Sequence, residues 1–251
     1  MATVRPNYIP DTIASRGADF IWRGKREHIG PVETRTKLMD KFAGITSCGC
    51  FCIASGLLTW TSFRFGHLLD VSSTERLAEG ALAFMADPLS LDIEALMEER
   101  VPDQPPVVSA YRELRWFGSG AIYPGRWFKN ADTPTRELFH FAYLLRYLLD
   151  PASAAHFDDW IDAVTKNLQR VAPKPEVDES LLSDAPKSEE IHAFVAPHWG
   201  IPLPLAILSG EVAPGSLSKA VLEEARLIDW KANPYVRHAP DFSIPYGRAA
   251  S

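Results

Sequence analysis

The sequence predicts an all-α protein: a single helical-bundle-like domain of about eight helices, with an extended N-terminal arm and an irregular C-terminal tail. Three observations carry that expectation. Apolar residues recur at spacings of three and four over most of the chain. Residues that cap or stop helices stand where those stripes begin and end. Runs alternating apolar and polar residues, the mark of half-buried strands, are almost absent.

Residues 1–32 contain Pro6, Pro10, Gly17, Gly24, Gly30 and Pro31 and show no sustained period, so they read as an extended basic arm with Ile21-Trp22 as an apolar anchor. The main helical domain is expected over 33–171. It begins near Glu33, where Leu38, Phe42 and Ile45 and then Ile53, Leu57, Trp60 and Phe63 keep helical spacing. Ser72 or Ser73 caps a helix from Thr74 to Ala86, and Asp87-Pro88 stops it, because the residue before a proline is disfavoured in the helical region. Ser90 opens a helix through Arg100, Val101–Pro106 breaks the chain, and a short helix follows through Arg115. Thr133 is an N-cap with Pro134 in the first helical position, and Leu138, Phe141, Leu145 and Leu148 form a core stripe. Asp150-Pro151 ends that helix and starts another, with Phe157, Trp160, Ile161, Val164 and Leu168, to about Val171. So short a turn predicts an antiparallel hairpin. Residues 172–187 read as a surface linker and 188–229 as C-terminal helices packed on the main domain. Within the latter, Ser188 caps a helix to about Ala196, Ile201–Leu208 is apolar and proline-interrupted, and Ser216 caps a helix to Ile228. Residues 230–251 form an aromatic, basic tail. No internal repeat stands out.

The stretch from Tyr111 to Phe128 reads as the centre of the molecule. Trp116 and Trp127 flank Gly118-Ser119-Gly120 and Pro124-Gly125, a composition that predicts a turn-rich loop clamped by its aromatic rings. Its structural reading is a loop held between helices, and its functional reading is the rim of a binding site.

Length and composition are those of a globular chain able to bury its own core. No signal-peptide pattern opens the sequence. Ala43–Phe63 is about long enough to cross a bilayer, yet its glycines, serines and threonines favour a buried core helix. Three cysteines without an export signal suggest reduced thiols and a cytoplasmic setting. Residues 1–30 carry five Lys/Arg against three Asp/Glu, and 230–251 carry three against one, leaving 18 basic and 28 acidic residues between them. An acidic body argues against nucleic-acid binding, which needs phosphate neutralisation. Basic ends are suited to an acidic neighbour or to the protein's own body.

No residue set converges on a reaction. On a helix, Cys48 and Cys52 share a face while Cys50 points nearly opposite, so the three read as small core thiols rather than as a metal site. His192 and His198 are six apart and miss the i, i+4 zinc spacing, and His67, His140 and His156 stand singly. Ser119 lacks the strand and full motif of a nucleophile elbow. Asp158, Asp159 and Asp162, Glu94, Glu98 and Glu99, and Glu223-Glu224 read as solvated helix faces.

Three features recur in one order: the Cys-bearing helix ending in Ala54-Ser55-Gly56, the segment LAEGALAFMADP at Leu77–Pro88, and WFGSGAIYP at Trp116–Pro124. Over about residues 35–150 they resemble a family of bacterial all-helical proteins associated with type VI secretion gene clusters. The resemblance implies a non-catalytic accessory or assembly role and carries no catalytic residues.

The expected function is therefore a bacterial protein–protein interaction component, a structural subunit or adaptor of a secretion or contractile injection apparatus. The alternatives are an immunity protein neutralising a toxin, and a helical metal- or cofactor-dependent enzyme using His67, His140 or the Cys48–Cys52 segment. A small-molecule binder with the Trp116–Trp127 loop as its rim stands between them. The arm supplies Arg5, Tyr8, Trp22, Arg23, Lys25 and Arg26 as candidate partner contacts. The body and tail supply Trp116, Tyr123, Trp127 and Tyr235. No catalytic residue, metal or cofactor, no nucleic acid and no stable membrane insertion is expected.

Overall fold

The computed structural model describes residues 5–15, 22, 32–87, 90–96, 105–122, 133–176, 198–210 and 216–240. All regular elements among them are helical, as the apolar periodicity predicts, and the chain is all-α. The α-helices are α1 (Val32–Ala43), α2 (Ser47–Phe65), α3 (Ser72–Ala86), α4 (Ile93–Leu96), α5 (Pro106–Ile122), α6 (Thr133–Tyr147), α7 (Pro151–Val171) and α8 (Leu217–Ala225). Short 3₁₀ turns occupy Asp11–Ser15, Leu205–Ser209 and Trp230–Ala232. No helix among the described residues is long and apolar enough to cross a membrane.

Helix α2 is the centre. Seventeen of its 19 residues are buried, because its sequence is apolar or small on every side. α3, α5, α6, α7 and two of the 3₁₀ turns pack around it. Small residues set the spacing: a Cβ on Gly118 of α5 would lie 2.7 Å from Leu58 Cδ2 and 3.1 Å from Phe141 Cε1. Gly118-Ser119-Gly120 is thus helical, not a loop. The side-chain-free surface at Gly118 lets α5 close on α2 and α6, and that tertiary packing outweighs glycine's poor helix propensity.

Parts of the N-terminal arm and of the C-terminal tail are built into the body. Ile9 and Ile13 are each 1 % exposed and belong to the core, so the expected arm is, over residues 5–13, a strap seated on it. At the other end, Tyr235 and Val236 are buried and Leu91 pairs with Val236. The Asp92 N–H donates to Tyr235 O at 2.8 Å, and the Arg237 N–H donates to Ser90 O at 2.7 Å. Residues 233–237, at the start of the expected tail, are therefore clasped to the body.

Several helix ends follow their sequence signals and others do not. Asp150 caps α7 as predicted, its carboxylate accepting the Ala152 and Ser153 N–H groups at 3.0 Å. At α3 the acceptor is the Asp70 carboxylate, 2.9 Å from the Ser72 nitrogen, instead of a serine hydroxyl. Asp92, not Ser90, caps α4 by accepting from Glu94 and Ala95. α8 stops at Ala225, three residues before the expected Ile228. The two helices joined at Asp150-Pro151 touch as expected, but neither pairs with the other alone: α6 packs chiefly along α5, and α7 also meets α1, α2 and the Leu205–Ser209 turn. Arg146 and Asp158 still join α6 to α7 through a bidentate pair at 2.7–2.9 Å. The start of the expected linker is also fixed, because Thr46 N–H donates to Ala172 O and Lys174 N–H to Gly44 O. The helix expected over Ser188–Ala196 lies outside the described residues.

Candidate functional site

The amphipathic pattern of α7 fixes which of its faces is open. Phe157, Trp160, Ile161, Val164 and Leu168 turn inward, at helical spacing. Trp160 is locked by two contacts. Its indole N–H donates to Leu208 O at 3.2 Å, and its ring stacks on Tyr8 with centroids 5.2 Å apart and planes 14° from parallel. Tyr8 thereby belongs to the strap and to the wall of the site together. Burial pushes its phenol well above the ordinary tyrosine range, against the hydrogen bond to Thr59, so the hydroxyl stays protonated.

Between α7, the strap at Asn7-Tyr8 and the turn at Ile207–Gly210 lies a half-open groove of about 590 Å³. The turn reverses because Gly210 adopts the left-handed conformation, φ 74°, at no steric cost. Its other end is fixed by Glu224 of α8, whose carboxylate accepts the Leu205 and Ala206 N–H groups at 2.6 and 2.8 Å. Burial raises the Glu224 carboxyl above its ordinary range, and those two N–H donors pull the other way. His156, Asp159, Asn167 and Arg170 line the groove from α7, with Arg170 Nη2 donating to Asn167 Oδ1 at 2.9 Å.

Among the described residues named from sequence as partner contacts, Tyr8 alone lines this groove. Arg5 is engaged within the strap, donating to Ile9 O at 2.9 Å and pairing with Asp11. Trp22 and Trp116 are half-buried against the core. Tyr235 is 5 % exposed, and its hydroxyl accepts from Arg115 Nη2 at 2.6 Å, so its ring is part of the core and not a contact surface. Arg23, Lys25, Arg26, Tyr123 and Trp127 lie outside the described residues. Of the three aspartates read as one solvated face, Asp158 binds Arg146 and Asp162 binds Lys41, while Asp159 lines the groove.

The thiols take the arrangement helical geometry predicts. Cys48 and Cys52 face Met85, with Cys48 Sγ 3.7 Å from Met85 O and Cys52 Sγ 3.7 Å from Met85 Sδ. Cys50 points instead at Phe42 O and Ile45 O, at 3.8 and 3.9 Å. All three are fully buried, and burial holds Cys48 and Cys52 well above the ordinary thiol range and Cys50 up to about 12. Neutral, enclosed thiols are poor nucleophiles. No three His, Cys, Asp or Glu residues gather to hold a metal ion among the described residues. His140 packs between the rings of Phe117 and Phe139, each 5.3 Å away. Ser119 is buried in α5.

No protein-family model matches the chain, and neither a curated protein nor a solved structure does.

Proposed function

We propose that the protein is a non-catalytic protein-binding component, an adaptor or structural subunit of a larger assembly such as a secretion or contractile injection apparatus. The observation that carries this reading is the groove along α7: an open surface, walled by three remote segments and floored by a Trp160 ring held on both sides. An apolar floor with a polar, charged rim is the composition of a protein-recognition surface. The net acidic body around it suits a partner carrying complementary basic charge.

The test is a native-level pull-down with mass spectrometry, using full-length protein beside a groove variant. Deleting residues 1–30 is the wrong control, since it would strip Ile9 and Ile13 from the core. Ala163→Trp fills the groove from an exposed position instead. A stoichiometric partner that belongs to an assembly supports the adaptor reading. A single toxin, with growth rescue against it, would replace that reading by an immunity function. No partner at all would remove it.

A further inference from the structure

We propose that Cys48, Cys52 and Met85 form a buried binding site for a soft monovalent metal ion, copper(I), between α2, α3 and the irregular segment that follows Trp199. This role is independent of the groove and is tested without it.

Helical geometry brings the donors together. Cys48 and Cys52 stand one turn apart on α2, where side chains four apart are neighbours. Met85 of α3 meets both of them. Its Sδ lies 3.7 Å from Cys52 Sγ, and its carbonyl oxygen lies 3.7 Å from Cys48 Sγ. Two sulfurs that each bind one metal at about 2.3 Å, at tetrahedral or trigonal angles, stand about 3.8–4.0 Å apart. The Cys52–Met85 pair is close to that separation as it stands, and Cys48 supplies the third sulfur from the preceding turn.

Donor chemistry names the metal. Two thiolates with a thioether are a soft set, which selects copper(I). Structural zinc takes four ligands from Cys, His, Asp and Glu, and no three such residues gather among the described residues. Cys50 is not a ligand, because it points at Phe42 O and Ile45 O. Binding replaces the two S–H protons by the ion and releases them to solvent; the copper stays monovalent and no electron moves. Two thiolates and one such ion leave a single negative charge. Cys48 lies in the first turn of α2, whose positive end no side chain caps, so the helix dipole offsets that charge.

Without the ion, the thiols rest against carbonyls: Cys48 Sγ is 3.7 Å from Gly200 O, and Cys52 Sγ is 3.6 Å from Leu203 O. Met85 O keeps a partner when the protons leave, since the Trp199 indole N–H donates to it at 3.1 Å. Trp199 packs edge-on against Phe51 and Phe84, with centroids 5.2 and 5.0 Å away. This apolar shell limits the access of water to the sulfurs.

The test is an anaerobic titration of full-length protein with copper(I) supplied as its coloured bicinchoninate complex. Wild type is expected to withdraw one equivalent, with new ultraviolet absorbance from thiolate-to-copper charge transfer and quenched tryptophan fluorescence. Cys50→Ser is expected to match it, and Cys52→Ser to withdraw none. Met85→Leu conserves volume, so it is expected to keep helical circular dichroism and Tm while binding at least about tenfold more weakly. Excess zinc is expected to leave the copper in place. No withdrawal by wild type, withdrawal that survives Cys52→Ser, or an equal loss in Cys50→Ser would each overturn the proposal, and displacement by zinc would overturn the choice of metal. Should Cys52→Ser fail to fold, Met85→Leu decides alone, and wild-type affinity there would overturn the site.

Discussion

Helices α2 and α7 are of similar length, yet they play opposite parts. α2 carries the residues that most suggest chemistry, three cysteines within five positions, and nearly all of it is buried. α7 reads as an ordinary amphipathic helix, and it presents the open, mixed surface. Reactivity depends on environment more than on residue type. A thiol surrounded by carbonyls and rings is a small core side chain, whereas an exposed alanine between a histidine and an asparagine can line an open groove.

The contrast is broken most severely at Trp60. Its indole is fully buried in α2 and packs edge-on against Phe157, with Trp160 5.8 Å away. Trp60→Ala should cost about 3–5 kcal/mol, read as a fall in the urea midpoint. It should also loosen α7 and with it the groove. A loss under 1 kcal/mol would mean that α2 is not the hub described.

Alkaline pH tests the same helix by a different route. Each thiol has its pKa raised in the folded state, Cys50 to about 12, while an unfolded thiol ionises near 8.5. Above that pH the unfolded chain holds fewer protons than the native one, so stability falls as pH rises. The thiol contribution is present in full below about pH 8.5 and is lost progressively towards the folded values. Unfolding midpoints measured from pH 8 to 11 should decline, and Cys50→Ala should flatten the decline. Native protein at pH 8 should resist thiol-labelling reagents and react three-fold on unfolding; rapid native labelling would contradict the burial.

A smaller effect is expected at Gly118. The Cβ of Gly118→Val meets Leu58 and Phe141, so α5 has to shift outward, at about 1–3 kcal/mol. A neutral outcome in thermal melts would return Gly118-Ser119-Gly120 to the loop its composition suggests.

That segment shows where local sequence stops being informative. The all-α class, the stop at Asp87 and the cap at Asp150 were legible because each depends on residues within one or two helical turns. Glycine is ambiguous at that range: the residue that favours a turn also permits two helices to touch, and only Leu58 and Phe141 decide which. The N-terminal strap gave no period because two isoleucines four apart are too little pattern to reveal a docking site supplied by α2 and its neighbours. Tyr235 looked like a tail aromatic until Arg115, 120 residues away, was placed against its hydroxyl. The groove is the extreme case, since residues 7–8, 156–170 and 207–210 have no relation visible along the chain.

The smallest expected effect is the most specific. Asp159 and Ala163 are exposed. Substitutions at such positions usually alter stability by less than about 0.5 kcal/mol. Asp159→Lys should therefore leave Tm and the urea midpoint where they were. If the groove is the binding surface, the same change reverses a charge at its rim and should weaken partner capture, chiefly through slower association and with an altered salt dependence. Trp60→Ala would weaken capture too, but together with stability. The pair thus separates a helix that builds the surface from a helix that is the surface. If Asp159→Lys melted the protein, α7 would belong with α2 as scaffold; if it changed neither melting nor capture, the open face of α7 would have no part in binding.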